Sequence, residues 1–142
     1  MKKTVLRKYA DLIVRKGINV QKGQEVLVYA ELDQPEFVAM VVEACYKAKA
    51  RHVKVEWSYQ PLQKLHIRYQ SVKTLGTVPE YIKAQQQYYC DTLPCRLFID
   101  SEDPDGMKGV NMGKYAKAQQ LSWPILKPYI DDRDGKQQWC IA

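Results

Sequence analysis

The sequence lacks the residue patterns of most self-contained catalytic and nucleotide-binding sites. Residues 30–33, which follow the first apolar run, include no glycine, so the dinucleotide fingerprint and the phosphate-binding loop are both absent. The two histidines, His52 and His66, lie in no H-E-x-x-H motif and beside no recognisable nucleophile. We therefore expect no catalytic, cofactor-binding or metal-ligating residue within residues 1–142.

Long apolar runs are also missing. No stretch approaches the roughly 18 apolar residues that a membrane-spanning helix needs. Arg7, Lys8 and Asp11 interrupt the N-terminal apolar residues before the core of a signal peptide develops. The sequence thus predicts a cytoplasmic protein with no contact to a membrane.

The positive charge is not concentrated in one stretch. The net charge is +6, but lysines and arginines are spread along the chain among acidic residues. No basic run carries the interleaved aromatic residues of an RNA-binding sheet. We expect a solvated surface of mixed charge and no nucleic-acid partner.

The four cysteines do not have the spacing of a zinc site. Cys90 and Cys95 are separated by four residues, whereas structural zinc is usually held by two close pairs of ligands. Reduced thiols that behave as small apolar side chains are the interpretation that fits a cytoplasmic chain.

What the sequence does contain is the pattern of an α/β fold. Residues 25–30 are apolar on both faces, residues 34–49 have helical spacing, and residues 52–57 alternate, which together form one βαβ unit. The apolar pattern of the later sequence predicts a third strand at residues 96–100 and a fourth at residues 137–142. Because the alternating strand suits an edge, we expect a doubly wound, Rossmann- or flavodoxin-like, mainly parallel sheet of order 2-1-3-4, with helices on both faces, forming a single domain over 1–142.

Helix ends are predicted from local signals. Thr4 is expected to cap a first helix that ends at a left-handed Gly17. One stripe of this helix is expected to face a core: Val5, Tyr9, Leu12, Ile13 and Lys16. Asp33 is expected to cap the second helix, with Glu36 reaching back and Pro35 in the first turn. Prolines at positions 124 and 128 should kink or end a long helix near residues 111–129.

Acidic residues gather where the strands are expected to end. Glu31, Asp33, Asp100, Asp103 and Asp105 follow the first and third strands. Carboxylates at the carboxyl ends of parallel strands could surround a hard cation, but helix caps and turns use the same residues. We favour caps and turns.

The last strand ends without a polar exit. Trp139 and Ile141 would each gain about 1.5–3 kcal/mol from burial, yet no helix follows to cover them. This pattern predicts a sheet that is incomplete at the C-terminus, either because the chain is a fragment or because a partner completes it.

Several stretches together resemble one family, the metal-dependent aminopeptidases of the aminopeptidase T and aminopeptidase S type. They are LRKYADLIV (6–14), GINVQKGQEVLV (17–28), VKVEWS (53–58), SEDPDGMKGV (101–110) and QWCI (138–141). One departure is Lys49, where the family pattern has glycine after the second helix, and this puts the usual cap of that helix in doubt.

The resemblance implies an N-terminal, non-catalytic domain of a longer two-domain hydrolase. In the family, two divalent ions of the zinc, cobalt, magnesium or manganese class are bound in a C-terminal domain and activate the water that cleaves peptide substrates. No ligand position of that site falls within this sequence. The alternative is a free-standing interaction module whose last strand is completed by a partner or by self-association, for example in a homodimer.

Overall fold

The computed structural model describes residues 2–101 and 103–141. The chain divides into two compact units. The first consists of residues 2–58, 93–101 and 136–141 and contains the β-sheet. The second consists of residues 59–92 and 103–135 and is helical.

The sheet of the first unit has four parallel strands in the order β2-β1-β3-β4. The strands are β1 (Glu25–Glu31), β2 (His52–Ser58), β3 (Cys95–Ile99) and β4 (Trp139–Ile141). The predicted fold class and strand order are confirmed. β1 and β3 are central because their side chains are apolar on both faces, whereas β2 exposes every second residue at its start and lies at an edge.

Two helices and the inner face of the sheet form the core of this unit. Helix α1 (Lys3–Leu12) continues as a π-helical turn (Ile13–Gly17), and α2 (Pro35–Lys47) packs against α1. The buried residues of α1 and the turn are Ala10, Ile13 and Val14, while Tyr9 and Leu12 are 44% and 55% exposed. The predicted stripe was wrong except at Ile13, because the helix face that carries Ala10 and Val14 packs against the core instead.

The start of α2 differs from its prediction. Gln34 occupies the N-cap position and makes no side-chain capping bond, and Pro35 lies in the first turn as expected. Asp33 does not cap the helix. Its Oδ1 instead accepts a hydrogen bond from Ser101 Oγ at 2.7 Å, so a long-range partner replaces the local one.

The end of α2 keeps a glycine-type cap without glycine. Lys49 has φ +74°, the left-handed conformation that the family pattern assigns to glycine. The Lys49 amide donates to Tyr46 O and the Ala50 amide to Cys45 O, each at 3.0 Å, which is the Schellman arrangement. The chain then enters β2.

Gly17 serves close packing and not a left-handed turn. Its φ is negative, and Asn19 takes the positive φ of 48° instead. A Cβ at Gly17 would lie 3.0 Å from Cys140 Sγ. Glycine therefore lets the end of the first helix approach β4.

The other face of the sheet carries stacked aromatic rings. Tyr29 and Phe98 stack with centroids 4.8 Å apart, and the Arg96 guanidinium lies 5.5 Å and 5.1 Å from the two ring centres. Register places Trp139 beside Arg96 and Ile141 beside Phe98, and both are 63% exposed. Helical cover of this second face stays a prediction.

The second unit contains α3 (Gln60–Tyr69), the short α4 (Val72–Leu75), α5 (Glu80–Thr92) and α6 (Met112–Arg133). Both α4 and α5 pack on α6. Of the two expected effects of the prolines, an end of α6 at Pro124 or Pro128 is wrong, since the helix runs through both, and a kink stays a prediction. Each proline removes one amide donor, and a helix of 22 residues retains bonds on both sides. Within the described parts of the chain, no helix has the length and hydropathy to cross a membrane.

Candidate functional site

Two of the acidic side chains at the strand ends, those of Asp33 and Asp103, accept hydrogen bonds. In the first unit, Asp33 binds the Ser101 hydroxyl. In the second unit, Asp103 Oδ1 accepts from the Asp105 amide at 2.9 Å, and the Asp103 carbonyl accepts from Gln60 Nε2 at 3.2 Å. Asp103 thus acts as an acceptor within its own turn, whereas Asp33 binds a residue distant in sequence.

The donor atoms of the described residues do not fit a metal centre. Among residues 2–101 and 103–141, no group of three or more His, Cys, Asp or Glu side chains is placed to hold an ion. His52 lies exposed on the edge strand β2, and His66 lies exposed on α3, in the other unit. The two divalent ions that the resemblance implies thus have no set of ligands in the described part of this chain.

Cys45 and Cys95 are buried thiols and not activated nucleophiles. All four cysteines are free, and Cys45 and Cys95 are fully buried in the core of the first unit. Burial raises the pKa of Cys45 to about 12, with a smaller contribution from Cys95, and burial raises the pKa of Cys95 to about 11. A nucleophilic cysteine needs the opposite shift.

The second unit contains an open cavity of about 680 Å³. It lies between α3 and the segment that leads into α6. Its apolar wall includes Leu65, Ile67 and Val110. Four cationic side chains line it as well: Lys64, Arg68, Lys108 and Lys114. No Asp or Glu is among the described lining residues, so the cavity combines an apolar body with positive charge.

Local structure fixes the positions of these cations. Lys64 and Arg68 are four residues apart on α3 and therefore share one face of the helix. Asn111 caps α6 by accepting from the Lys114 amide at 3.1 Å, and Lys114 Nζ lies 3.4 Å from the Arg68 carbonyl oxygen. The cap and this contact orient Lys114 toward α3.

The sequence alone did not identify this cavity. The four cationic residues fall in two separate stretches, 64–68 and 108–114, and this dispersed pattern is typical of a solvated surface. A weak signal was present: a like-charged pair at helical spacing on α3, and two lysines on either side of a capping asparagine. Only the fold brings the two stretches together.

Comparison with known proteins identifies the class. The family described as thermophilic metalloprotease (M29) matches residues 2–142, and this chain belongs to that family. Aminopeptidase PepS of Streptococcus thermophilus is 30% identical over 138 residues, and aminopeptidase T of Thermus thermophilus is 26% identical over 126 residues.

The similarity extends to three-dimensional structure but covers only part of each relative. Wild-type AmpT from Thermus thermophilus superposes with a TM-score of 0.83 at 26% identity. The match covers 99% of this chain and 36% of that one. The chain likewise spans 33% of PepS and 31% of aminopeptidase T, so about a third of the length of these relatives.

Proposed function

We propose that residues 1–142 form the N-terminal, non-catalytic domain of a metal-dependent aminopeptidase that removes N-terminal residues from peptides. Hydrolysis is carried out in a C-terminal catalytic domain outside these residues, which holds two divalent ions of the zinc, cobalt, magnesium or manganese class. This segment contributes a rigid α/β scaffold and part of the surface that meets the peptide.

The observation that carries this proposal is a full match to one third of an aminopeptidase. Nearly the whole chain superposes on AmpT, yet about two thirds of that protein has no counterpart here. Two strand-end carboxylates are consistent with the same division, because Asp33 accepts a hydrogen bond from Ser101 Oγ and Asp103 accepts one from the Asp105 amide. Four free thiols support a reducing, cytoplasmic location.

A chimera tests the proposal. Residues 1–142 would replace the matching segment of Thermus thermophilus aminopeptidase T, and leucine p-nitroanilide hydrolysis would be measured with added cobalt or zinc. We expect turnover by the chimera and none by the 142-residue chain or by the relative lacking its matching segment. Turnover by the isolated chain would overturn the non-catalytic role. The gene beyond codon 142 should encode a further domain rich in His, Glu and Asp.

A second candidate is an interaction module completed by self-association or by another protein. The exposure of two large apolar side chains on β4 favours this function. Trp139 and Ile141 are each 63% exposed, and β4 is the last strand in the order of the described sheet. A stop codon directly after Ala142, together with a stable monodisperse homodimer in light scattering, would support this function over the first.

A further inference from the structure

The cavity of the second unit has the size and the lining of a ligand site. Its volume of about 680 Å³ falls in the range of about 300–1,000 Å³ that is usual for small-molecule pockets. The apolar side chains Leu65, Ile67 and Val110 form one part of the lining. Such a wall favours a ligand with an apolar body.

The charge of the lining selects the sign of the ligand. Lys64, Arg68, Lys108 and Lys114 take part in none of the ion pairs found among the described residues. Lys64 and Lys114 are also partly buried, and neither pairs with a carboxylate among the described residues, although Lys114 Nζ donates to the Arg68 carbonyl oxygen. An anion in the cavity would supply that partner to several cations at once.

The first turn of α6 reinforces this preference. Asn111, the capping residue, lines the cavity, so the positive end of a 22-residue helix is directed to the same region as the lysines. The helix end adds to four cationic side chains around an apolar wall. The ligand that fits is an organic anion with its charge at one end of an apolar group.

We propose that this cavity binds the C-terminal carboxylate of a peptide, with the apolar side chain of the last residue against Leu65 and Val110. The choice of a peptide rests on the proposed function, since aminopeptidases act on peptides, and every unmodified peptide ends in a carboxylate. The cavity thus selects the end of the substrate that is not cleaved.

Binding to the 142-residue chain tests this without any hydrolysis. The probe is the peptide AAAL labelled with dansyl at its N-terminus, used as the free acid and as the C-terminal amide, and followed by fluorescence anisotropy. We expect the acid to bind about tenfold more tightly than the amide, because charge-assisted hydrogen bonds to the carboxylate are lost in the amide. The difference should shrink as salt is raised from about 20 to about 200 mM.

Matched variants locate the site. Lys64→Gln/Lys108→Gln should weaken binding of the acid about tenfold and leave the amide unchanged. Lys22→Gln/Lys117→Gln removes the same charge from two exposed lysines outside the cavity and should leave both affinities unchanged. Circular dichroism would check that the variants fold.

The results also separate this inference from the proposed function. Three results would overturn the carboxylate site. The acid and the amide could bind equally, neither could bind, or both double variants could lose the same affinity for the acid. Octanoate that competes as strongly as the acid peptide would overturn the assignment to peptides. None of these binding results depends on the chimera. If the chimera showed no turnover, a measured preference for the acid over the amide would still stand.

Discussion

Lys49 offers a sharp test of the backbone conformation at the end of α2. The residue has φ +74°, and its side chain is exposed. Glycine adopts this conformation without a steric penalty, whereas a Cβ costs roughly 1–2 kcal/mol there. Lys49→Gly should therefore relieve strain and keep both backbone hydrogen bonds of the Schellman turn.

The expected net effect is smaller than the strain because glycine also loosens the unfolded chain. Relief of about 1–2 kcal/mol is offset by about 0.5–1 kcal/mol of additional unfolded-state entropy. We expect Lys49→Gly to raise the free energy of unfolding by about 0.5–1 kcal/mol, measured by urea denaturation followed by circular dichroism. The midpoint temperature should rise by a few degrees.

Two controls separate the backbone from the side chain. Lys49→Ala removes the charge but keeps the Cβ, so stability should barely change. Ala48→Gly places glycine one residue earlier, where φ is −80°, and should cost about 0.5–1 kcal/mol. If Lys49→Gly were neutral or destabilising while Ala48→Gly behaved as expected, the left-handed conformation would not be a source of strain, and the reasoning would be refuted.

Two further results are expected. The pKa of Cys45 is raised from 9.0 to about 12, so the unfolded chain loses this proton first, and stability that is full below pH 9 should fall as the pH rises toward 12. Between pH 8 and pH 10.5 the loss due to this thiol should be about 2 kcal/mol and should be absent in Cys45→Ala, as urea titrations at both pH values would measure. Gly76→Ala would place a Cβ 2.7 Å from Leu121 Cβ and 2.9 Å from the Ala118 carbonyl oxygen, and should destabilise by about 1–3 kcal/mol. Gly113→Ala, whose nearest neighbour would be at 3.4 Å, should be neutral or stabilising in thermal unfolding, and an equal loss in both variants would contradict the packing argument.

The strand order was predictable because burial leaves a direct mark on strands. β1 and β3 are apolar on both faces, which only a central position satisfies, and β2 begins with alternation, which suits an edge. Once β2 is at one edge and β1 and β3 are central, the remaining position for β4 is next to β3. The sheet order therefore followed from the sequence pattern.

Helix faces and caps were less predictable because they depend on partners distant in sequence. At the start of α2, Asp33 had every local feature of a cap, yet Ser101 binds its carboxylate. In α1, the spacing of Tyr9 and Leu12 suited a buried stripe, but the core selected the neighbouring face with Ala10 and Val14. Periodicity gives the helix, and only the packing surface decides which face is buried.

The distribution of charge in the two units bears on both proposals. The carboxylates of Asp33 and Asp103 accept hydrogen bonds from Ser101 and from the Asp105 amide, while four cations line an apolar cavity that contains no described acidic residue. A site for a divalent cation needs several carboxylates that point to one place and are free to bind the ion. A site for an anion needs cationic side chains that have no carboxylate partner. This part of the chain meets the second requirement and not the first. Among the described residues, this distribution therefore favours the proposed carboxylate site over a site for a divalent cation.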